Sequence, residues 1–154
     1  MCIRDSKEAA SPEVDLAHLK EKVDAGADFL ISQLFFDNDR YAEFLVRAQR
    51  AGIDLPLIPG LMPITNAGQI ARFTSSIGAS IPPKLLRELH LRREDPKAVE
   101  DLGVAYAALQ ATELLGRGSP GVHFYTLNRS PATRAIVSAL IAGSAWRPSF
   151  GAVH

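Results

Sequence analysis

The sequence predicts an α/β protein built on parallel strands. Short apolar runs of strand length alternate with longer stretches whose apolar residues recur at helical spacing. Most helical stretches open on a capping residue or a proline, and several close on glycine. Consecutive elements of this kind pair as parallel strands joined by right-handed helical crossovers.

The first helix is expected from Ser11-Pro12, with Leu16, Leu19 and Val23 on one face and Gly26 ending it. FLISQLFF, residues 29–36, is too short for an independent helix and reads as a buried strand. Asp37-Asn38-Asp39 caps a second helix bearing Tyr41, Phe44, Leu45 and Ala48, closed by Gly52. Residues 57–63, LIPGLMP, form a second strand, and Thr65 or Asn66 caps a third helix carrying Ile70 and Phe73. Pro82-Pro83 opens a short helix with Leu85, Leu86 and Leu89. Asp95-Pro96 opens a longer one, with Val99, Leu102, Tyr106 and Leu109 as its expected inner stripe. Val122 to Leu127 is the third strand, and Ser130-Pro131 starts a last helix through Leu140. Three strands are fewer than the eight of a (β/α)8 barrel. The pattern fits either a small open sheet or the last part of a barrel.

The 154 residues divide into a start, 1–10, expected to be disordered or spurious, a folded domain, 11–142, and a tail, 143–154, with no readable pattern. Hydrophobic residues make up 47% and charged residues 22%, the balance of a globular chain. Lys plus Arg equal Asp plus Glu at 17 each, so no overall field favours nucleic acid or an anionic membrane. The lone Cys2 cannot form an internal disulfide, and no apolar run reaches bilayer length. With no secretory signal in MCIRDSKEAA, a cytoplasmic protein is expected.

In parallel α/β proteins, ligands bind at the carboxyl ends of strands. Gln33 lies within an apolar strand, where an unpartnered amide costs roughly 1–3 kcal/mol. It therefore bonds the backbone as a core glutamine or meets a polar ligand. In Pro59–Thr65, Gly60 permits close approach of a backbone or ligand, while the prolines could equally make a plain structural turn. Asn128 and Arg129 end the third strand; the arginine suits a carboxylate or phosphate, or a neighbouring surface acid. His123 reads as a packed strand residue. No phosphate-cradling glycine loop, zinc-spaced Cys/His cluster or serine-nucleophile motif occurs, so no metal site is expected.

DLAHLKEKVDAGADFLISQLFFDNDRY, IPGLMPIT and GVHFYTLNRSPAT resemble successive signatures of the methylenetetrahydrofolate reductase family, in that family's order, across residues 13 to 142. The resemblance implies the C-terminal portion of a (β/α)8 TIM barrel: strands six to eight with their helices, Asp15–Ala25 being the helix before them. It implies FAD-dependent reduction of 5,10-methylenetetrahydrofolate to 5-methyltetrahydrofolate with NADH or NADPH as hydride donor, in one-carbon and methionine metabolism. By position, Asp15, His18 and Lys22 match FAD-contacting places, and Glu21 departs from a basic residue of some bacterial members. Gln33 matches the pterin-contacting glutamine. Gln69 and Phe73 match residues embracing the aminobenzoyl group, and Arg129 a substrate-binding arginine.

The family's acid catalyst, a glutamate on an early strand, has no counterpart here, and Glu13, Glu43 and Glu88 fall on helices. The chain alone is therefore expected to be inactive and to carry no catalytic residue of its own. Its sixth strand would also lack an outer neighbour. The expected partner is a small-molecule folate, without nucleic acid or membrane, and homo-oligomer formation is left open. Two alternatives are a non-catalytic folate- or flavin-binding half-barrel and a different barrel enzyme. A Schiff-base aldolase is disfavoured because every lysine falls on a helix or the terminus.

Overall fold

The computed structural model describes residues 2–3, 12–72, 75, 79–126, 128 and 130–143. Its elements run β1 (Cys2–Ile3), α1 (Pro12–Asp24), β2 (Leu30–Leu34), α2 (Asn38–Arg50), β3 (Leu57–Leu61), α3 (Ala67–Arg72), α4 (Pro83–Leu91), α5 (Pro96–Gly116), β4 (His123–Phe124) and α6 (Ser130–Ala142). The strands form one sheet in the order β1-β2-β3-β4, every neighbouring pair parallel. The expected α/β alternation with parallel strands is what the chain adopts.

Two expectations need correction. The sequence reading has three strands and leaves the outer side of FLISQLFF open. In the structure Cys2 and Ile3, within the segment set apart as a start, pair with Ile31 and Ser32 and occupy that edge. A two-residue strand leaves no periodicity to read.

The second concerns α5. Its buried residues are Val99, Gly103, Ala107, Gln110, Ala111 and Leu114, whereas Leu109, placed on the inner stripe, is 71% exposed. α5 is apolar almost all round, so spacing could not choose its buried side. Close approach did. A side chain at Gly103 would put its Cβ 1.8 Å from the Ile64 carbonyl oxygen, so the helix seats on its small residues.

The helix boundaries follow local chemistry. Asp37 accepts from the Asp39 N–H at the start of α2, and Asp95 accepts from Lys97 and Ala98 at the start of α5. Gly52, at φ +72°, turns the chain after α2, and Ile53 N–H returns to the Ala48 carbonyl.

One core layer lies between the sheet and α1, α2, α5 and α6, built from Leu19, Leu30, Tyr41, Leu57, Leu61, Leu114, Ile136 and their neighbours. A second cluster (Leu34, Phe36, Met62, Ile64, Leu85, Leu89 and Val99) gathers where β2 and β3 end and packs against α4 and the start of α5. On the other side of the sheet, Ile31, Ile58 and His123 are half-buried. No described helix is long and apolar enough to cross a membrane.

Candidate functional site

The carboxyl ends of β2, β3 and β4 carry an irregularity at the glutamine that the sequence singled out. Ile31 pairs with Ile58, but the next pairing is Leu34 with Gly60, so β2 uses one residue more than β3. An unbroken ladder would set Gln33 opposite Gly60; the extra residue puts Leu34 there instead. Such bulges re-aim side chains and are over-represented beside functional sites.

Local groups hold the bulge. The Gln33 side-chain oxygen accepts from the Leu34 N–H at 3.1 Å. Ser32 Oγ accepts from the Gly60 N–H at 2.9 Å and donates to the Gln33 carbonyl at 2.9 Å. Gln33 is thus half a backbone-bonded core residue. Its side chain is half-buried, and its amide nitrogen has no hydrogen bond to a described residue.

Tyr125, just beyond β4, reaches across β3. Its N–H donates to the Leu61 carbonyl at 2.8 Å and its hydroxyl to the Ser32 carbonyl at 2.9 Å. Gly60 makes that crossing possible, since a Cβ there would lie 2.6 Å from the Tyr125 ring and 2.5 Å from the Ser32 oxygen. The close approach expected at Gly60 is therefore made by the protein's own ring and backbone. His123 meets the Tyr125 ring edge-on, with centroids 4.7 Å apart, and is packed as expected. Reasoning from sequence missed Tyr125. The readable signal was a strand glycine next to an aromatic strand, a known rescue pairing, but its use required the register.

After β3, Asn66 and Gln69 cap α3 reciprocally. Asn66 Oδ1 accepts from the Gln69 N–H at 3.0 Å, and Gln69 Oε1 accepts from the Thr65 N–H at 2.7 Å and the Asn66 N–H at 3.3 Å. The oxygen of Gln69 is thus engaged, and its amide nitrogen makes no hydrogen bond to a described residue. After β4, Asn128 adopts φ +61°, a left-handed conformation that asparagine tolerates, and turns the chain towards α6. Phe73 and Arg129 lie outside the described residues.

Asp15, His18 and Lys22 share one face of α1 by spacing. The side chain of Asp15 is outside the described residues. His18 and Lys22 are exposed, and Lys22 forms no ion pair with a described residue, while neighbouring Lys20 pairs with Asp24. An exposed ammonium, unpaired among the described residues, could hold an anionic cofactor group. Lys22 lies in the last turn of α1, the end that leads into the start of β2, so the structure does not gather it with Gln33 at the strands' carboxyl ends. No cluster of three or more His, Cys, Asp or Glu that could hold a metal occurs among the described residues.

The sequence model of the methylenetetrahydrofolate reductase family matches residues 4–141. The chain belongs to that family. A probable methylenetetrahydrofolate reductase (NADH) of Oryza sativa subsp. japonica is 36% identical over 135 residues, 86% of this chain and 23% of that protein. A probable methylenetetrahydrofolate reductase (NADPH) of Caenorhabditis elegans is 37% identical over 134 residues, 86% of this chain and 20% of that protein. The 5,10-methylenetetrahydrofolate reductase of Pectobacterium carotovorum subsp. carotovorum is 35% identical over 133 residues, 86% of this chain and 45% of that protein. The chain spans less than half the length of these reductases. It also shares its fold with a solved structure, an uncharacterized protein from Clostridium thermocellum that binds two copies of 5-methyl-5,6,7,8-tetrahydrofolic acid. The TM-score is 0.57 at 16% identity, over 88% of this chain and 50% of that one.

Proposed function

We propose that this chain is the folate-binding portion of a cytoplasmic flavoprotein reductase that converts 5,10-methylenetetrahydrofolate to 5-methyltetrahydrofolate, with NADH or NADPH as donor. The observation that carries the reading is Gln33, an amide set on a bulge at the carboxyl end of a parallel strand, its nitrogen without a hydrogen bond among the described residues. An amide both donates and accepts, which suits the edge of a pterin. Gln69, Phe73 and Arg129, on the segments after β3 and β4, would take the aminobenzoyl group and the glutamate tail.

Of the four strands, β2, β3 and β4 would supply strands six to eight of a (β/α)8 barrel. The half-buried face with Ile31, Ile58 and His123 supports this, because parallel sheets are ordinarily covered on both faces. Asp15, His18 and Lys22 would hold FAD from outside, Lys22 by its charge on the diphosphate. FAD, when bound, supplies hydride transfer. The residues of this chain orient the folate and exclude water around it.

None of the four strands carries a carboxylate; Glu43 is exposed on α2 and Glu88 pairs with Arg92. Protonation of the substrate would then fall to an acid from elsewhere, as the family resemblance implies, and the chain alone would bind without turnover. That same feature favours the second reading, a folate- or flavin-binding module. The decisive experiment is Gln33→Leu in a complete enzyme carrying this segment. Reoxidation of reduced flavin by methylenetetrahydrofolate should slow by about tenfold or more at unchanged FAD content. An unchanged rate refutes the assignment of Gln33.

A further inference from the structure

Beyond Leu34 the β2–β3 ladder stops, and the Phe35 and Phe36 carbonyls leave the sheet. Side chains of α5 meet them. Gln110 Nε2 donates to the Phe35 carbonyl at 3.1 Å, and the Tyr106 hydroxyl donates to the Phe36 carbonyl. Asn38, first residue of α2, donates from Nδ2 to the Gln110 carbonyl at 3.2 Å and to Glu113 Oε2 at 2.8 Å. Tyr106, Gln110 and Glu113 stand at i, i+4 and i+7, one face of one helix. Gln110 is 6% exposed, a buried polar side chain that the proposed chemistry does not use. α5 itself is anchored by the close contact of Gly103 with Ile64.

A bulge offers the strand two registers. In the unbulged one, Gln33 would return opposite Gly60, and the following residues would advance by about 3.3 Å, one strand residue, towards the carboxyl end. The Phe35 and Phe36 carbonyls would then leave the reach of Gln110 and Tyr106. We infer that Tyr106 and Gln110 are positioning residues: by holding the β2–α2 turn they keep β2 in its bulged register and so aim Gln33 at the folate. The inference rests on the folate reading above.

Two variants each remove one donor while nearly keeping shape, Gln110→Leu and Tyr106→Phe, and both are compared with the wild type on the full chain. The amide exchange of Leu34, whose N–H is bonded by Gln33 Oε1, should accelerate by about tenfold in either variant, while amides within α6 stay as they were. Affinity for 5-methyltetrahydrofolate should fall several-fold. It should fall no further when Gln110→Leu is added to Gln33→Leu, because the effect passes through Gln33. A purely structural role would give full additivity. Unchanged exchange at Leu34, or additive losses, overturns the inference. A wild type that binds no 5-methyltetrahydrofolate defeats the folate reading instead, and the exchange of Leu34 still decides whether α5 sets the register.

Discussion

Gly103→Ala pits helix propensity against packing. In mid-helix, alanine is favoured over glycine by about 1 kcal/mol, so helix propensity alone predicts stabilisation. The structure predicts the opposite. The new Cβ would stand 1.8 Å from the Ile64 oxygen and 2.7 Å from its carbonyl carbon, and both are backbone atoms that cannot rotate away. To reach even 3.0 Å, the shortest separation a Cβ tolerates, α5 must retreat by roughly 1.2 Å. Val99, Ala107, Ala111 and Leu114, each at most 2% exposed, sit on the face that would lift. A gap above about 1 Å forfeits about half or more of each contact's attraction, and overpacking of this kind costs about 3 kcal/mol. Net of the propensity gain, Gly103→Ala should lose about 2 kcal/mol. Gly116, at the end of the same helix, has nothing within 4 Å of its virtual Cβ, so Gly116→Ala should be neutral or gain up to about 1 kcal/mol. Urea unfolding followed by circular dichroism reads both. If Gly103→Ala is as stable as wild type, or the two glycines respond alike, the packing argument fails.

Further expectations concern charge, crossing geometry and the cofactor. Burial pushes the Tyr41 hydroxyl, which donates to the Leu57 carbonyl at 2.7 Å, from 10.0 up to about 12. A raised folded value means stability is complete below pH 10 and drains away as pH rises towards 12. Up to about 3 kcal/mol should be lost over that window, a loss Tyr41→Phe should abolish when melting is followed against pH. Gly60→Ala should destabilise by about 2 kcal/mol, and Tyr125→Ala should rescue it only in part because the Ser32 carbonyl still blocks the Cβ; full rescue in thermal melts would show that the ring alone sets the requirement. In a complete flavoprotein carrying this segment, Lys22→Ala should weaken FAD about tenfold in fluorescence titration, and an unchanged affinity removes Lys22 from the cofactor site.

Much of this protein is legible along the chain. Helix starts at Asp37 and Asp95, the stop at Gly52 and the strand character of residues 30–34 and 57–61 follow from interactions within a few residues. Family membership is likewise a property of residue order. Gln33 stood out because an amide inside an apolar strand is costly unless partnered. What the sequence could not decide depends on elements far apart in it. The pairing of Cys2–Ile3, the bulge that puts Leu34 rather than Gln33 opposite Gly60, and the crossing of Tyr125 to Ser32 all depend on register between strands. The buried side of α5 depends on how closely a helix can approach Ile64, since apolar residues lie all around it. Local propensity is set by neighbours in sequence. Register and close approach are set by which backbone groups find partners once distant segments meet, and only the folded chain contains that choice.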